Sequence, residues 1–121
     1  MMDFETLAAH YISAWNETDP QRRREAVAQL WAADGRYVDP MVAAVGHDAI
    51  DATIAAVQQQ FPGFRFRLLG PVDGHHDQAR FGWELGPDGS DAPIGGFDVI
   101  ERDGDGRLGA VLGFLDRVPA A

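Results

Sequence analysis

Residues 50–68 read IDATIAAVQQQFPGFRFRL, and the spacing of the apolar positions changes within them. Ile50, Ile54, Val57 and Phe61 recur every three or four residues, the stripe of a helix that buries one face. Pro62-Gly63 then stops the helix, as expected just beyond a C-terminus. After it Phe64, Phe66 and Leu68 alternate with Arg65 and Arg67, the period of a half-buried strand. A helix hands over directly to a strand at this point.

Toward the N-terminus the helical period holds. Gly46-His47-Asp48 leads this helix, with Asp48 as the expected cap. Residues 3–17 form a first helix, with Phe4, Leu7, Ala8, Tyr11, Ile12 and Trp15 on one stripe. Asp19-Pro20 supplies a cap and a first-turn proline for a second helix reaching about Trp31, striped by Ala26, Val27 and Leu30. A short strand, Arg36–Asp39, ends at Pro40, which has no N–H for a ladder.

Toward the C-terminus the period stays at two. Ala79, Phe81, Trp83 and Leu85 alternate with Arg80, Gly82 and Glu84, and Ile94–Arg102 and Leu108–Val118 complete four long strands. Asp73-Gly74-His75-His76, Gly86-Pro87-Asp88-Gly89 and Asp103-Gly104-Asp105-Gly106 carry turn residues, which predicts antiparallel hairpins. Three helices followed by a meandering sheet give an α+β domain with the helices on one concave face. The last strand is apolar on both faces, with Leu112 and Phe114 on one and Val111 and Leu115 on the other. The face away from the helices is expected to be covered in a homodimer.

The whole chain, 1–121, reads as a single domain: 121 residues is close to the commonest domain size and 45% are hydrophobic. Asp and Glu outnumber Lys and Arg by 19 to 10, a formal net charge of −9 that argues against nucleic acid and anionic membrane as partners. With no cysteine, disulfide and thiolate chemistry are excluded. The N-terminal MMDFETLAAHY lacks the basic and apolar regions of a signal peptide, so a cytoplasmic protein is expected.

Three side chains carry the chemical reading. Alternation puts Asp98 beside Gly96 and Ile100 on an apolar strand face, where burial would raise its pKa and make it a proton donor near neutrality. The competing placement is a sheet edge, with Asp98 paired to Arg80 or Arg102. Asp39 precedes Pro40 at a strand end, equally suited to a turn bond and to a pocket base. Tyr11 lies mid-stripe, and a buried phenol takes a carboxyl as a natural partner. Trp15, Trp31, Trp83 and Phe114 are expected as core or pocket wall, with Asp116 facing either the pocket or Arg80. His75 and His76 diverge in a hairpin, His47 reads as loop, and the Asp-Gly repeat lacks the remaining ligands of a calcium loop. No metal, nucleotide cofactor or covalent nucleophile is predicted.

The stretches HYISAWNETD (10–19), LWAADGRYVDP (30–40) and GGFDVIERDGDGRLGAVLGFLD (95–116) resemble the nuclear transport factor 2-like superfamily, in its SnoaL-like polyketide cyclase and ketosteroid isomerase branch. The resemblance implies a cone-shaped fold, three helices packed on a strongly curved antiparallel sheet, hosting enzymes and binding proteins alike. Ketosteroid isomerase is a standard example of carboxyl tuning in such a pocket. Carried over, Asp39 is the base while Tyr11 and a protonated Asp98 hold the oxyanion; in the polyketide cyclase branch one Asp, here Asp98 or Asp116, is both acid and base. The expected activity is cofactor-free isomerase or cyclase chemistry on a small hydrophobic carbonyl compound, within a pocket narrowed by Trp15 and Trp83. The alternative is a non-catalytic pocket that binds a small ligand or serves an accessory role. Gly95-Gly96 is expected to relax the strand that carries Asp98.

Overall fold

The computed structural model describes residues 2–119. Three helices, α1 (Phe4–Asn16), α2 (Pro20–Leu30) and α3 (His47–Gln60), pack on a sheet of six strands. The strands are β1 (Trp31–Val38), β2 (Ala43–Val45), β3 (Phe64–His75), β4 (Gln78–Pro87), β5 (Ile94–Arg102) and β6 (Leu108–Arg117). They lie in the order β2-β1-β6-β5-β4-β3, a curved and unclosed sheet. Side chains of α1 and α3, among them Leu7, Tyr11, Ile50 and Ile54, bury against Phe81, Ile100 and Val111 of the sheet. Among the described residues no helix is long and apolar enough to cross a membrane.

The four long strands pair antiparallel, as their turns predict. One pairing departs from that pattern: β1 runs parallel to β6. It begins at Trp31 rather than Arg36, directly from the end of α2, and a bulge between Trp31 and Arg36 separates its two stretches of pairing. The three-residue β2 carries no legible period of its own and folds back antiparallel on β1. The hairpin between β3 and β4 turns at His76-Asp77, not across Asp73–His76, because β3 continues through a bulge to His75. The cap of α3 is Gly46, without a side-chain bond; Asp48 sits in the first turn, where its charge suits the helix dipole.

Two polar contacts fix α1 over the sheet. The Asn16 side chain donates to the Phe66 carbonyl at 2.9 Å and accepts from the Phe66 N–H at 2.8 Å. Gln58 on α3 donates to the carbonyls of Trp15 and Glu17 at 2.9 and 2.8 Å. Gln58 is in turn held by Arg23, a buried side chain of α2 whose guanidinium reaches Asp51 at 2.8 Å. The C-terminal turn of α1, which carries Trp15, is thereby tied to β3 and α3 by saturated hydrogen bonds.

Candidate functional site

An apolar cavity of about 320 Å³ opens between α1, α3 and the concave face of the sheet. Trp15, Phe66, Trp83, Leu85 and Ile94 line it, and its polar groups are those of Tyr11, Tyr37, Asp39, Asp98 and Gln60.

Asp98 stands on β5 with its side chain turned toward α1, as alternation with Gly96 and Ile100 requires. It is 3% exposed. The Tyr11 hydroxyl donates to its Oδ2 at 2.7 Å and the Trp83 indole N–H donates to its Oδ1 at 3.1 Å. Burial pushes its pKa up to about 6, against the pull of the Tyr11 and Trp83 bonds and with some help from Asp39. Arg80 is elsewhere, paired with Asp73 on the exposed surface, and Arg102 bonds the Met2 and His76 carbonyls. Tyr11 is itself buried among aromatic rings, Trp31 and Phe81 each at 5.6 Å between centroids. Burial, then the Asp98 charge, hold its hydroxyl well above the usual phenol range, so it remains a donor at all ordinary pH.

Asp39 takes a different position. Its Oδ1 accepts from the backbone N–H groups of Met41 and Val42 at 2.8 and 3.0 Å, and its Oδ2 accepts from the Tyr37 hydroxyl at 2.8 Å. That is the turn bond its place before Pro40 allows, doubled by a phenol. It borders the cavity, and its three bonds order the loop after β1. Tyr37 was not foreseen as a site residue. Its signal was alternation: residues two apart on a strand share a face, so Tyr37 must point where Asp39 points. Burial and then the Asp98 charge raise the Tyr37 phenol far above its ordinary value.

The remaining expectations divide. Trp15 and Trp83 line the cavity, and Phe114 borders it while stacking on Phe97 at 4.8 Å. Trp31 does not line it; fully buried, it packs behind Tyr11 in the core. Asp116 lies exposed near the end of β6, away from the cavity and from Arg80. Among the described residues no cluster of His, Cys, Asp or Glu is arranged to hold a metal ion. The β5–β6 register shifts between Gly95 and Gly96, and a Cβ on Gly96 would meet the Phe114 carbonyl and the Trp83 ring.

Gly113 on β6 pairs with Asp98 across the ladder. A Cβ placed on it would stand 2.9 Å from Asp98 Oδ1 and 3.5 Å from the Tyr37 hydroxyl. The missing side chain therefore keeps open the floor beside the carboxylate. Gly113→Ala is expected to lower thermal stability by roughly 1–2 kcal/mol, since its Cβ would press on a buried carboxylate held by two hydrogen bonds. It should weaken ligand binding and proton transfer at Asp98 by roughly tenfold or more, because a 1 Å displacement of a reacting group is costly. Calorimetric unfolding beside a binding titration checks both halves.

A family model described as the SnoaL-like domain matches residues 8–110. Among curated proteins none matches the sequence. A structure from Agrobacterium tumefaciens str. C58, described as a candidate isomerase of the SnoaL-like family, is 47% identical, with 92% of this chain and 95% of that one covered and a TM-score of 0.88. A candidate polyketide cyclase from Sinorhizobium meliloti is 16% identical over 89% of this chain and 93% of its own, TM-score 0.71. An NTF2-like protein of unknown function from Exiguobacterium sp. 255-15 is 18% identical over 91% and 98%, TM-score 0.72. The last two show the fold alone, whereas the family model spans most of the chain. This chain belongs to the SnoaL-like domain family, within the NTF2-like fold.

Proposed function

We propose that the protein moves a proton at carbon in a small lipophilic molecule whose C–H is activated by a carbonyl or a related group, giving isomerisation or ring closure. The observation that carries this is Asp98: a carboxyl nine-tenths buried in an apolar cavity, with a pKa of about 6. A general base or acid works best with a pKa near the operating pH, and burial brings the Asp98 carboxyl close to it. Tyr11 and Trp83 hold it in place, Asp39 and Tyr37 order the adjoining wall, and the rest of the lining is mainly apolar. Asp98 is the proposed base in place of Asp39, whose Oδ1 takes two backbone N–H groups and whose Oδ2 takes the Tyr37 hydroxyl. The same role is the one a single Asp would play in the cyclase branch.

The test is hydrogen–deuterium exchange at carbon, followed by NMR, on a panel of enolisable ketones and cyclic imines in deuterium oxide. The wild type should exceed background, Asp98→Asn should fall to background, and Asp39→Asn should keep most of the rate. A chain that loses exchange with Asp39→Asn and keeps it with Asp98→Asn would return the base to Asp39.

We also propose that the outer sheet face meets a second copy of the chain. Phe97 and Phe114 stack there, and Phe114 and Leu69 are 49% and 51% exposed, apolar side chains that a second copy would cover. Sedimentation should give a dimer, and Phe114→Glu a monomer; a wild-type monomer at micromolar concentration contradicts it.

A further inference from the structure

The hydrogen bonds around the cavity leave it short of donors. The Tyr11 hydroxyl and the Trp83 N–H are both given to Asp98, and the Tyr37 hydroxyl is given to Asp39. The Trp15 N–H is buried with no hydrogen-bond partner at bonding distance, though near enough to the Tyr11 hydroxyl to act on it, and Gln60 stands at the exposed end. No Arg or His borders the cavity, and the chain contains no lysine at all. Asp98 therefore faces this space as a carboxyl held only by neutral groups, each of its oxygens accepting one bond with room for another. Asp39 adds a second carboxyl on the same side.

The wall makes the same point independently. The rings of Tyr37, Trp15, Phe66 and Trp83 follow one another with centroid separations of 5.3, 5.1 and 5.4 Å, and all four border the cavity. Aromatic faces carry negative potential and attract cations, most strongly when water is excluded. An oxyanion formed here would find no cationic donor, only the unpartnered Trp15 N–H and the Gln60 amide, and two carboxyls nearby. A cation would find a carboxylate and a wall of aromatic rings.

We infer that the cavity takes a lipophilic organic cation, a protonated amine or imine of about ten non-hydrogen atoms, with Asp98 as its counter-ion. A cavity of 320 Å³ lies at the small end for ligand sites and suits a single-ring compound on the order of ten non-hydrogen atoms. Net charge of −9 draws such ligands in and repels anions. The inference names the activating group for the proton transfer proposed above and rests on that reading for its chemistry. A C–H beside a protonated imine gives its proton to the Asp98 carboxylate; the C–H electron pair becomes a C=C bond and the C=N pair returns to nitrogen. The products are a neutral enamine and a neutral carboxylic acid, so no oxyanion needs a donor.

Binding alone tests it, apart from any turnover. Three probes of equal atom count are 1-phenylethylamine, acetophenone and benzoate, titrated at about pH 8, where the amine is protonated. Tryptophan fluorescence reads occupancy through Trp15 and Trp83. The amine should bind at least about tenfold tighter than acetophenone, benzoate should not saturate, and Asp98→Asn should bring the ratio near one. Should that variant fold poorly, the wild type at about pH 5 serves the same purpose. The titratable groups around Asp98 are Tyr11 from α1, Tyr37 from β1 and Asp39 after it. Both phenols stay neutral, so protonating Asp98 should shrink the preference while the amine keeps its charge. Acetophenone binding as tightly as the amine, or a preference that survives Asp98→Asn, overturns the inference. Loss of proton exchange with the binding preference intact would instead count against the catalytic reading.

Discussion

Asp98→Asn should cut proton exchange by about a thousandfold, within the usual range for a lost general base, and should make the fold more stable at neutral pH. The two effects share one cause. Burial raises the Asp98 carboxyl from 3.8 to about 6, so between those values the folded chain holds a proton that the unfolded chain has released. Stability therefore falls as pH rises through that window, and the full penalty stands above about pH 6. At 1.36 kcal/mol per unit the penalty is about 3 kcal/mol. Asparagine has no charge to bury, its carbonyl can accept from Trp83, and its amide can donate to the Tyr11 oxygen, so the lost acceptor for the Tyr11 O–H offsets only part of the gain. Urea unfolding should place the variant above the wild type near neutrality, with the gap closing as pH falls toward 4. A variant less stable than the wild type at neutral pH would show that the carboxylate helps the fold instead of straining it.

Gly96→Ala should be the most damaging single methyl in the sheet. Its Cβ would run into the Phe114 carbonyl oxygen of the neighbouring strand and stand 2.8 Å from the Trp83 ring. A side-chain tip can move aside, but the carbonyl belongs to the β5–β6 ladder at the bulge between Gly95 and Gly96. Overpacking against backbone should cost about 3 kcal/mol, the upper end for one added methyl. The Trp83 ring would be pushed as well, taking its N–H from Asp98. Thermal unfolding measures the loss, and Gly104→Ala, whose Cβ would meet nothing within 4 Å, is the control expected within about 0.5 kcal/mol. Equal stability of the two variants would mean that β5 and β6 can part without penalty.

Periodicity made most of this architecture readable in advance. The stripes of Tyr11 and Ile54, the stop at Pro62-Gly63 and the alternation around Phe81 are local signals, and local signals survive in a linear string. Asp98 stood out because a carboxyl broke an apolar face. Tyr37 was equally available, two residues from Asp39 on one strand, but an aromatic at a strand position looks like core. What the chain conceals is pairing between distant segments. The parallel contact of β1 with β6, and the register that sets Gly113 opposite Asp98, depend on loop closure over many residues. Trp31 and Trp83 are the same residue type on similar apolar faces; only packing sends one behind Tyr11 and the other into the cavity. Asp39 was ambiguous for a related reason, since its role turns on three donors that exist only once the loop has folded.

A carbon-detected NMR titration of the Asp98 carboxyl is the most direct measurement of all. A midpoint near 6, lowered when a bound ammonium probe favours the ionised form, is what a buried proton carrier requires. A midpoint near 4, unmoved by any probe, would describe an ordinary solvated aspartate and leave this cavity without its chemistry.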